Sequence, residues 1–154
     1  LYFANASGKF LGAIAAADVL KEDSKESVET LKKLGLDVVM LTGDNEKTAR
    51  AIAKQAGIDH VIPDVLPGDK AAVVSRFQSE GKKVAMVGDG INDAPALVTA
   101  DVGMAIGAGT DIAMESADVV LMSGSLNGVS DAIQLSKTTI RNIKISFTSL
   151  FNVL

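Results

Sequence analysis

The chain has 154 residues, with 15 Lys and Arg against 19 Asp and Glu, 47% hydrophobic residues and no cysteine. A chain of this length is expected to form one domain and can bury roughly two-thirds of its unfolded surface. The lack of cysteine excludes a disulfide scaffold and a cysteine-ligated metal site within these residues. The net charge of −4 argues against nucleic-acid binding, which uses a basic face.

Both the first residues and the hydropathy of the chain are unusual. The chain begins Leu1-Tyr2-Phe3 rather than with methionine, and no signal peptide is visible there. Its mean hydropathy is positive, at +0.28, although 22% of its residues are charged. We therefore interpret the chain as a piece of a larger protein.

Short apolar runs alternate with amphipathic stretches along most of the sequence. After the apolar run 10–17, the spacing of Asp23 and Glu26 is that of a capping box, which predicts a helix that ends at Gly35. The further predicted strands are 36–41, 60–62, 83–87, 101–106 and 118–122, and the further predicted helices are 45–56, 67–80 and 95–99. This alternation predicts an α/β fold, a parallel sheet with helices on both faces.

The last thirty residues have a different pattern, which predicts one long C-terminal helix from Leu126 onward. The basic residues Lys137, Arg141 and Lys144 precede an uncharged run, ISFTSLFNVL. Ten residues cannot span a bilayer, which takes about 20, but basic residues before an apolar helix are typical of the cytoplasmic side of a membrane span. An amphipathic helix packed on the domain explains this segment equally well.

The most informative segment is Gly88-Asp89-Gly90-Ile91-Asn92-Asp93-Ala94-Pro95-Ala96-Leu97, which follows a predicted strand and opens a helix. Ligands of open α/β sheets bind at the carboxyl ends of the strands. Asp89 and Asp93 place two carboxylates there, and Mg²⁺ is usually bound by one or two carboxylates together with water and phosphate oxygens. The Asn92 amide can donate hydrogen bonds to a phosphoryl oxygen. A lone Gly-Asp-Gly would fit a tight turn equally well, but the whole string is much more specific.

Two shorter segments indicate further groups for binding a phosphate. Thr42-Gly43-Asp44 lies between a predicted strand and a predicted helix, where a hydroxyl, an amide and a helix N-terminus form a seat for an anion. Lys70 follows Pro67 in the first turn of a helix, a place that is unfavourable for a cation unless it meets an anion. Taken alone, these segments also fit a capped turn and a solvated surface lysine.

Together these groups match the needs of phosphoryl transfer, because its catalysis consists mostly of positioning and charge neutralisation. The same residues resemble the haloacid-dehalogenase-like phosphorylation domain of P-type ATPases, and Gly109-Thr110-Asp111-Ile112-Ala113 resembles the heavy-metal subgroup, with copper exporters as the closest match. The resemblance covers nearly the whole chain. It implies a haloacid-dehalogenase-like, Rossmann-like fold.

The resemblance also implies a role for each matching residue. Thr42 and Gly43 would hold the phosphoryl group, and Asp44 belongs to the same catalytic motif. Lys70 would neutralise the phosphoryl group and Asn92 would contact its oxygens. The metal residues would be Asp89, which ligates Mg²⁺, and Asp93, which supports the Mg²⁺ and Lys70 site.

By the same resemblance, residues 1–17 would end the nucleotide-binding domain and return from it. Residues 18–136 would form the phosphorylation domain, with a hinge at 18–21, and residues 137–154 would form a stalk and the start of a transmembrane helix. The implied cofactors are Mg²⁺ and ATP, with ATP bound mainly by a nucleotide-binding domain outside this chain. The implied partners are the nucleotide-binding, actuator and transmembrane parts of the ATPase, the transported heavy-metal ion and the membrane, with no nucleic acid. The implied location is the cytoplasmic side of an integral membrane protein.

The sequence departs from the family pattern in two respects. No Asp-Lys-Thr-Gly-Thr occurs in the chain, so the aspartate that the family phosphorylates would lie outside it and the chain alone would be inactive. At the place where copper exporters carry Tyr-Asn, the sequence has Phe151-Asn152.

Two alternative functions remain open from the sequence. One is a soluble haloacid-dehalogenase-type phosphatase with Asp18 as its nucleophile, although the second aspartate that such enzymes place two residues later is Leu20 here. The other is an inactive regulatory fragment, which only the missing nucleophile supports.

Overall fold

A computed structural model describes residues 2–13, 20–21, 23–107 and 111–151 of the chain. The strands are β1 (Tyr2–Ala4), β2 (Phe10–Ala13), β3 (Val39–Leu41), β4 (His60–Ile62), β5 (Ala85–Gly88), β6 (Val102–Ile106) and β7 (Val119–Leu121). The helices are α1 (Ser24–Lys33), α2 (Glu46–Ala56), α3 (Lys70–Ser79), α4 (Ala94–Thr99), α5 (Asp111–Glu115) and α6 (Asn127–Phe151). Short 3₁₀ turns precede α3 and α4, at Pro67–Asp69 and Ile91–Asp93.

Local signals place most helix ends where the sequence predicts them. The Asn45 side chain accepts a hydrogen bond from the Thr48 backbone N–H at 3.1 Å and so caps α2. The helix ends at Gly57, whose φ of 74° is left-handed, a conformation that costs glycine little. The helix predicted over 67–80 is divided into a 3₁₀ turn and α3, and most strands are shorter than predicted.

The capping box predicted at the start of α1 is wrong. Asp23 has helical backbone angles and its side chain caps no backbone N–H of α1. Its carboxylate instead accepts a hydrogen bond from the Ser125 hydroxyl, at the start of α6. The Asp23 side chain, which the local spacing predicts to cap α1, is therefore used in a tertiary contact instead.

The parallel strands form two hydrogen-bonded groups. β3 pairs with β4, and β6 lies between β5 and β7, all in parallel. β1 and β2 form a separate antiparallel pair. The expected parallel α/β arrangement is confirmed, and within the described residues β3, β4, β5 and β7 each have one edge with no paired strand.

Small apolar side chains on α2, α4 and β6 make up most of the core. Ala49 and Ala53 bury one face of α2, while Leu97 of α4 is only 1% exposed. The Leu97 carbonyl lies so close to β6 that a Cβ on Gly103 would be 2.6 Å from its oxygen. Glycine at this position thus allows α4 to lie directly on the sheet, which places the loop before α4 at the end of β5.

The carboxylate of Asp101 fastens the start of β6 to its neighbours. It accepts hydrogen bonds from Lys83 Nζ at 2.7 Å, from the Val84 backbone N–H at 3.0 Å and from Gln78 Nε2 at 3.2 Å. Lys83 foremost, then the Val84 amide and Gln78, lower the pKa of Asp101 from 3.8 to about 2. The ionised carboxylate therefore stabilises the folded state.

Replacing Asp101 with asparagine is expected to weaken the acid dependence of stability. Because the folded pKa lies below the unfolded one, the contribution of Asp101 is complete above its unfolded pKa and is lost as the pH falls through about 2. Denaturant unfolding at several pH values between roughly 5 and 2 should show a smaller loss of stability in Asp101→Asn than in the parent. Asp37→Asn, in an exposed loop, should follow the parent, and parallel curves for all three proteins would contradict the prediction.

α6 begins against the body of the domain and then leaves it. Val129 and Ser130 are buried, at 2% and 3% exposure, whereas every residue from 134 to 146 is exposed. Over the ranges that the structure describes, no helix is long and apolar enough to cross a bilayer. The long C-terminal helix that the sequence predicts is confirmed.

Candidate active site

The end of β3 places Thr42 and Asp44 in a tight turn before α2. The Thr42 hydroxyl donates a hydrogen bond to Asp44 Oδ2 at 2.9 Å, and the Asp44 backbone N–H donates to Thr42 Oγ1 at 3.1 Å. Gly43 between them is exposed, and a Cβ there would lie 3.4 Å from the Val65 carbonyl oxygen. The turn thus presents a hydroxyl and a glycine amide next to the N-terminus of α2, as an anion site requires.

The segment after β4 is fastened to this turn by backbone hydrogen bonds. The Asp64 N–H donates to the Asp44 carbonyl at 2.9 Å, and the Val65 N–H donates to the Thr42 carbonyl at 3.0 Å. Asp64 has a φ of 54°, the only positive value at a non-glycine residue in the described ranges. This left-handed step turns the chain from β4 toward the 3₁₀ turn and Lys70.

Lys70 and Asp93 form a closely packed ion pair. Lys70 Nζ lies 2.6 Å from Asp93 Oδ1, and the two side chains are 18% and 11% exposed. Lys70 opens α3, beyond the carboxyl end of β4, and Asp93 lies in the 3₁₀ turn beyond the carboxyl end of β5. The pair therefore joins the ends of strands from the two parallel groups.

The backbone of β5 makes room for Asp93. A Cβ on Gly88 would lie 2.7 Å from Asp93 Cβ and 2.9 Å from its Oδ2, closer than non-bonded atoms allow. The Asp93 side chain therefore rests directly on the last residue of β5. Glycine at 88 is a steric requirement of this arrangement.

Asp89 and Asn92 are exposed on the same loop, which begins at the end of β5. The Asp89 carboxylate is an oxygen ligand of the kind that Mg²⁺ uses, and the Asn92 amide can donate hydrogen bonds to phosphoryl oxygens. Within the described ranges no cluster of three or more His, Asp or Glu could hold a metal ion by itself. The donor set fits Mg²⁺, which needs only one or two protein carboxylates when phosphate oxygens and water complete its shell.

The predicted site residues therefore form one hydrogen-bonded pair, one ion pair and one group of exposed residues. Thr42 is bonded to Asp44, Lys70 is bonded to Asp93, and Asp89 and Asn92 stand beside Asp93 in the chain. Their roles toward phosphate and Mg²⁺ stay predictions. Asp18, the alternative nucleophile, lies outside the described residues.

Two features of the site were not predicted from the sequence. One is the left-handed backbone of Asp64, for which the turn-forming pair Pro63-Asp64 was an available signal. The other is the contact between Gly88 and Asp93, which no local pattern announces because it depends on how the 3₁₀ turn folds back.

Comparison with known protein families identifies the family to which this chain belongs. The sequence profile of the haloacid dehalogenase-like hydrolases matches residues 2–101, and a second profile of the same description matches residues 71–133. The chain belongs to the haloacid dehalogenase-like hydrolases. The expected fold class is thereby confirmed, and the first matched segment contains every predicted site residue.

Individual relatives within the family are heavy-metal P-type ATPases. The copper-exporting P-type ATPase of Bacillus subtilis (strain 168) is 60% identical over 137 residues, which cover 89% of this chain and 17% of that protein. The copper-exporting P-type ATPase of Staphylococcus aureus (strain JH9) is 56% identical over 133 residues, which cover 86% and 17%. A crystal structure of a zinc-transporting PIB-type ATPase matches with a TM-score of 0.81 and 41% identity, over 92% of this chain and 23% of that one.

These matches confirm the resemblance to the phosphorylation domain of heavy-metal P-type ATPases, the haloacid dehalogenase-like part of those proteins. The chain spans 17% of the length of each of these two curated relatives. P-type ATPases are hydrolases, so the comparisons agree with the expected enzyme class.

Proposed function

We propose that this chain is the phosphorylation-domain part of an ATP-driven heavy-metal transporter, with copper as the ion. In this proposal it holds Mg²⁺ and a phosphoryl group while an aspartate outside the chain is phosphorylated and the resulting aspartyl-phosphate is hydrolysed by water to aspartate and phosphate. The copper assignment is supported by relatives that are named copper-exporting and are up to 60% identical.

The ion pair of Lys70 and Asp93 is the observation that carries the proposal. It brings a cation to the loop that follows β5, and the same loop carries the exposed carboxylate of Asp89. A phosphoryl group carries its negative charge on several oxygens. Cations and hydrogen-bond donors that are already in position lower the free energy of the transition state in which this charge is transferred. Asp93 holds Lys70 in place before any phosphate arrives, so little reorganisation is needed.

The two parallel groups end in unpaired strand edges, at β3, β4, β5 and β7, which leaves room for a strand and an acceptor aspartate from another segment. A parallel strand added beside β3 or β5 would end at the same side as Thr42 and Asp89, because parallel strands point the same way. An aspartate just after such a strand would face the Thr42 turn and Lys70. The chain's own residues then bind and orient the phosphoryl group rather than accept it.

Asp89 and Asp93 are the residues that would hold Mg²⁺. When bound, the ion neutralises phosphate charge at this edge. Asp93 already shares one oxygen with Lys70, so Asp89 is the carboxylate free to ligate directly and Asp93 supports it. The N–H groups of Gly43 and Asn92 donate to phosphoryl oxygens. The Thr42 hydroxyl donates there as well by turning its single proton away from Asp44 Oδ2, while the Asp44 backbone N–H keeps Thr42 Oγ1 in place.

The remaining parts of the proposal concern the larger protein. Residues 1–17 end a nucleotide-binding domain that binds most of the ATP, residues 18–136 form the phosphorylation domain, and residues 137–154 form a stalk and the start of a transmembrane helix. The exposed stretch 134–146 of α6 supports a stalk, since it projects beyond the body of the domain. The domain lies on the cytoplasmic side of the membrane and works with the actuator and transmembrane parts.

The isolated chain is expected to bind Mg²⁺ together with inorganic phosphate weakly, without turning over ATP or p-nitrophenyl phosphate. Titration calorimetry with Mg²⁺ in the presence of phosphate measures the binding, and release of phosphate or nitrophenol measures turnover. Asp89→Asn should lose the Mg²⁺-dependent binding. Asp37→Asn changes an exposed loop residue before the amino end of β3 and should keep the binding.

Each alternative function has its own outcome in this experiment. Phosphatase activity that Asp18→Asn abolishes would overturn the proposal in favour of a soluble phosphatase. Absence of both binding and turnover in a folded chain would favour an inactive regulatory fragment.

A further inference from the structure

α6 carries a basic stripe on its exposed part, formed by Lys137, Arg141 and Lys144. Their spacing of four and three residues places them along one side of the helix. All three lie in the stretch 134–146, where every residue is exposed. No Asp or Glu follows Asp131 in the sequence. The charged side chains in this half of the helix are therefore all positive, although the chain as a whole is acidic.

The basic stripe begins at the side of the domain opposite the candidate active site. Lys137 Nζ donates to the Leu34 carbonyl at 3.4 Å, just past the end of α1. From there the chain runs into the amino end of β3, whereas Thr42 lies beyond its carboxyl end. The last turn of α1 adds two more basic residues, Lys32 and Lys33, of which Lys32 is paired with Asp59.

We propose that the basic stripe binds the anionic phosphate headgroups of a phospholipid surface. Charge complementarity argues for an anionic partner, because lysine and arginine beside a negatively charged leaflet gain favourable electrostatic energy. The same helix then continues to Phe151 through uncharged residues, ISFTSLF. A basic segment followed directly by apolar residues on one helix is suited to a membrane interface, where headgroups meet acyl chains.

The inference rests on the membrane setting of the proposed function, and it adds a specific consequence. When the basic stripe binds headgroups at one side of the domain, the opposite side, which carries Lys70 and Asp89, faces away from the lipid. The phosphoryl site then stays open to water and to other parts of the protein while α6 remains at the membrane.

The test is co-sedimentation of the purified chain with two kinds of vesicle, phosphatidylcholine alone and phosphatidylcholine with phosphatidylglycerol. The parent chain should partition onto the anionic vesicles and lose this binding as salt is raised, because screening weakens exposed charges. The triple variant Lys137→Gln, Arg141→Gln, Lys144→Gln should bind them at least about tenfold less. The matched variant Lys25→Gln, Lys47→Gln, Lys54→Gln changes the net charge equally at exposed sites and should retain most of the binding.

Circular dichroism checks that each variant remains helical, and the salt dependence of the parent provides a test that needs no variant. Equal binding to both kinds of vesicle would overturn the inference, since the apolar end alone would then be responsible. No binding to either would also overturn it, and stronger binding to soluble heparin than to anionic vesicles would assign the stripe to an acidic macromolecule instead. Asp89→Asn should bind vesicles as the parent does, so failure here and failure of the proposed phosphoryl site are separate results.

Discussion

Replacing Asp89 with asparagine in the complete ATPase that we propose contains this chain is expected to lower phosphoenzyme formation by about 100-fold or more. The change keeps the size of the side chain but removes the exposed carboxylate that is free to ligate Mg²⁺. Without the ion, the phosphate charge at the end of β5 is opposed mainly by Lys70. Incorporation of labelled phosphate from ATP measures the effect.

The loss should be partly recovered by raising the Mg²⁺ concentration, because the variant would still have phosphate oxygens and water to offer the ion. Asp37→Asn is the matched control, with the same chemical change in an exposed loop before β3, and should leave phosphorylation unchanged. Normal ATP turnover in Asp89→Asn would contradict the assignment of Asp89 as the metal ligand.

Replacing Lys70 with methionine is expected to lower the free energy of unfolding by about 3 kcal/mol, because it leaves the Asp93 carboxylate buried without its partner. Asp93 is 11% exposed and Lys70 is 18% exposed, so water cannot fully replace the lost contact. Denaturant unfolding of the isolated chain measures the change.

The double variant Lys70→Met, Asp93→Asn isolates the pair itself. Removing both charges should restore part of the stability lost in Lys70→Met, with a coupling energy of about 1–3 kcal/mol. Lys83→Met removes one of the three hydrogen-bond partners of Asp101, but the Lys83 side chain is 90% exposed, and we expect a much smaller effect. Equal effects of Lys70→Met and Lys83→Met would mean that the burial of the Lys70 pair adds nothing.

Patterns that act over a few residues predicted most of the fold. Glycines 35 and 57 end α1 and α2 as expected, with φ of 83° and 74°, because their freedom to adopt left-handed angles is a property of the residue itself. Hydrophobic periodicity also predicted the order of the other strands and helices, except β1 and α5, which were not predicted. Strand ends were less well predicted, since pairing with a neighbouring strand decides where a strand stops.

Contacts between distant parts of the chain account for what was missed. Asp23 fits a capping box by spacing, yet its carboxylate is bound by Ser125, 102 residues later. The family resemblance assigned Asp93 to the Mg²⁺ and Lys70 site, but the residues around Lys70 do not themselves show that Asp93, 23 residues later, supplies its anion. Both outcomes depend on tertiary packing, which the residues near Asp23 or Lys70 do not report.

The contact between Gly88 and Asp93 has a consequence for anyone who varies this site. Because the Asp93 side chain occupies the space that a side chain at 88 would fill, the two positions behave as one unit under mutation. A mutant library that varies only residue 93 is limited to side chains that pack against Gly88. Because the closest contact, at 2.7 Å, is with the Asp93 Cβ, a side chain at 88 requires glycine at 93 or a shift of the turn, so new chemistry at the end of β5 has to be selected at both positions together.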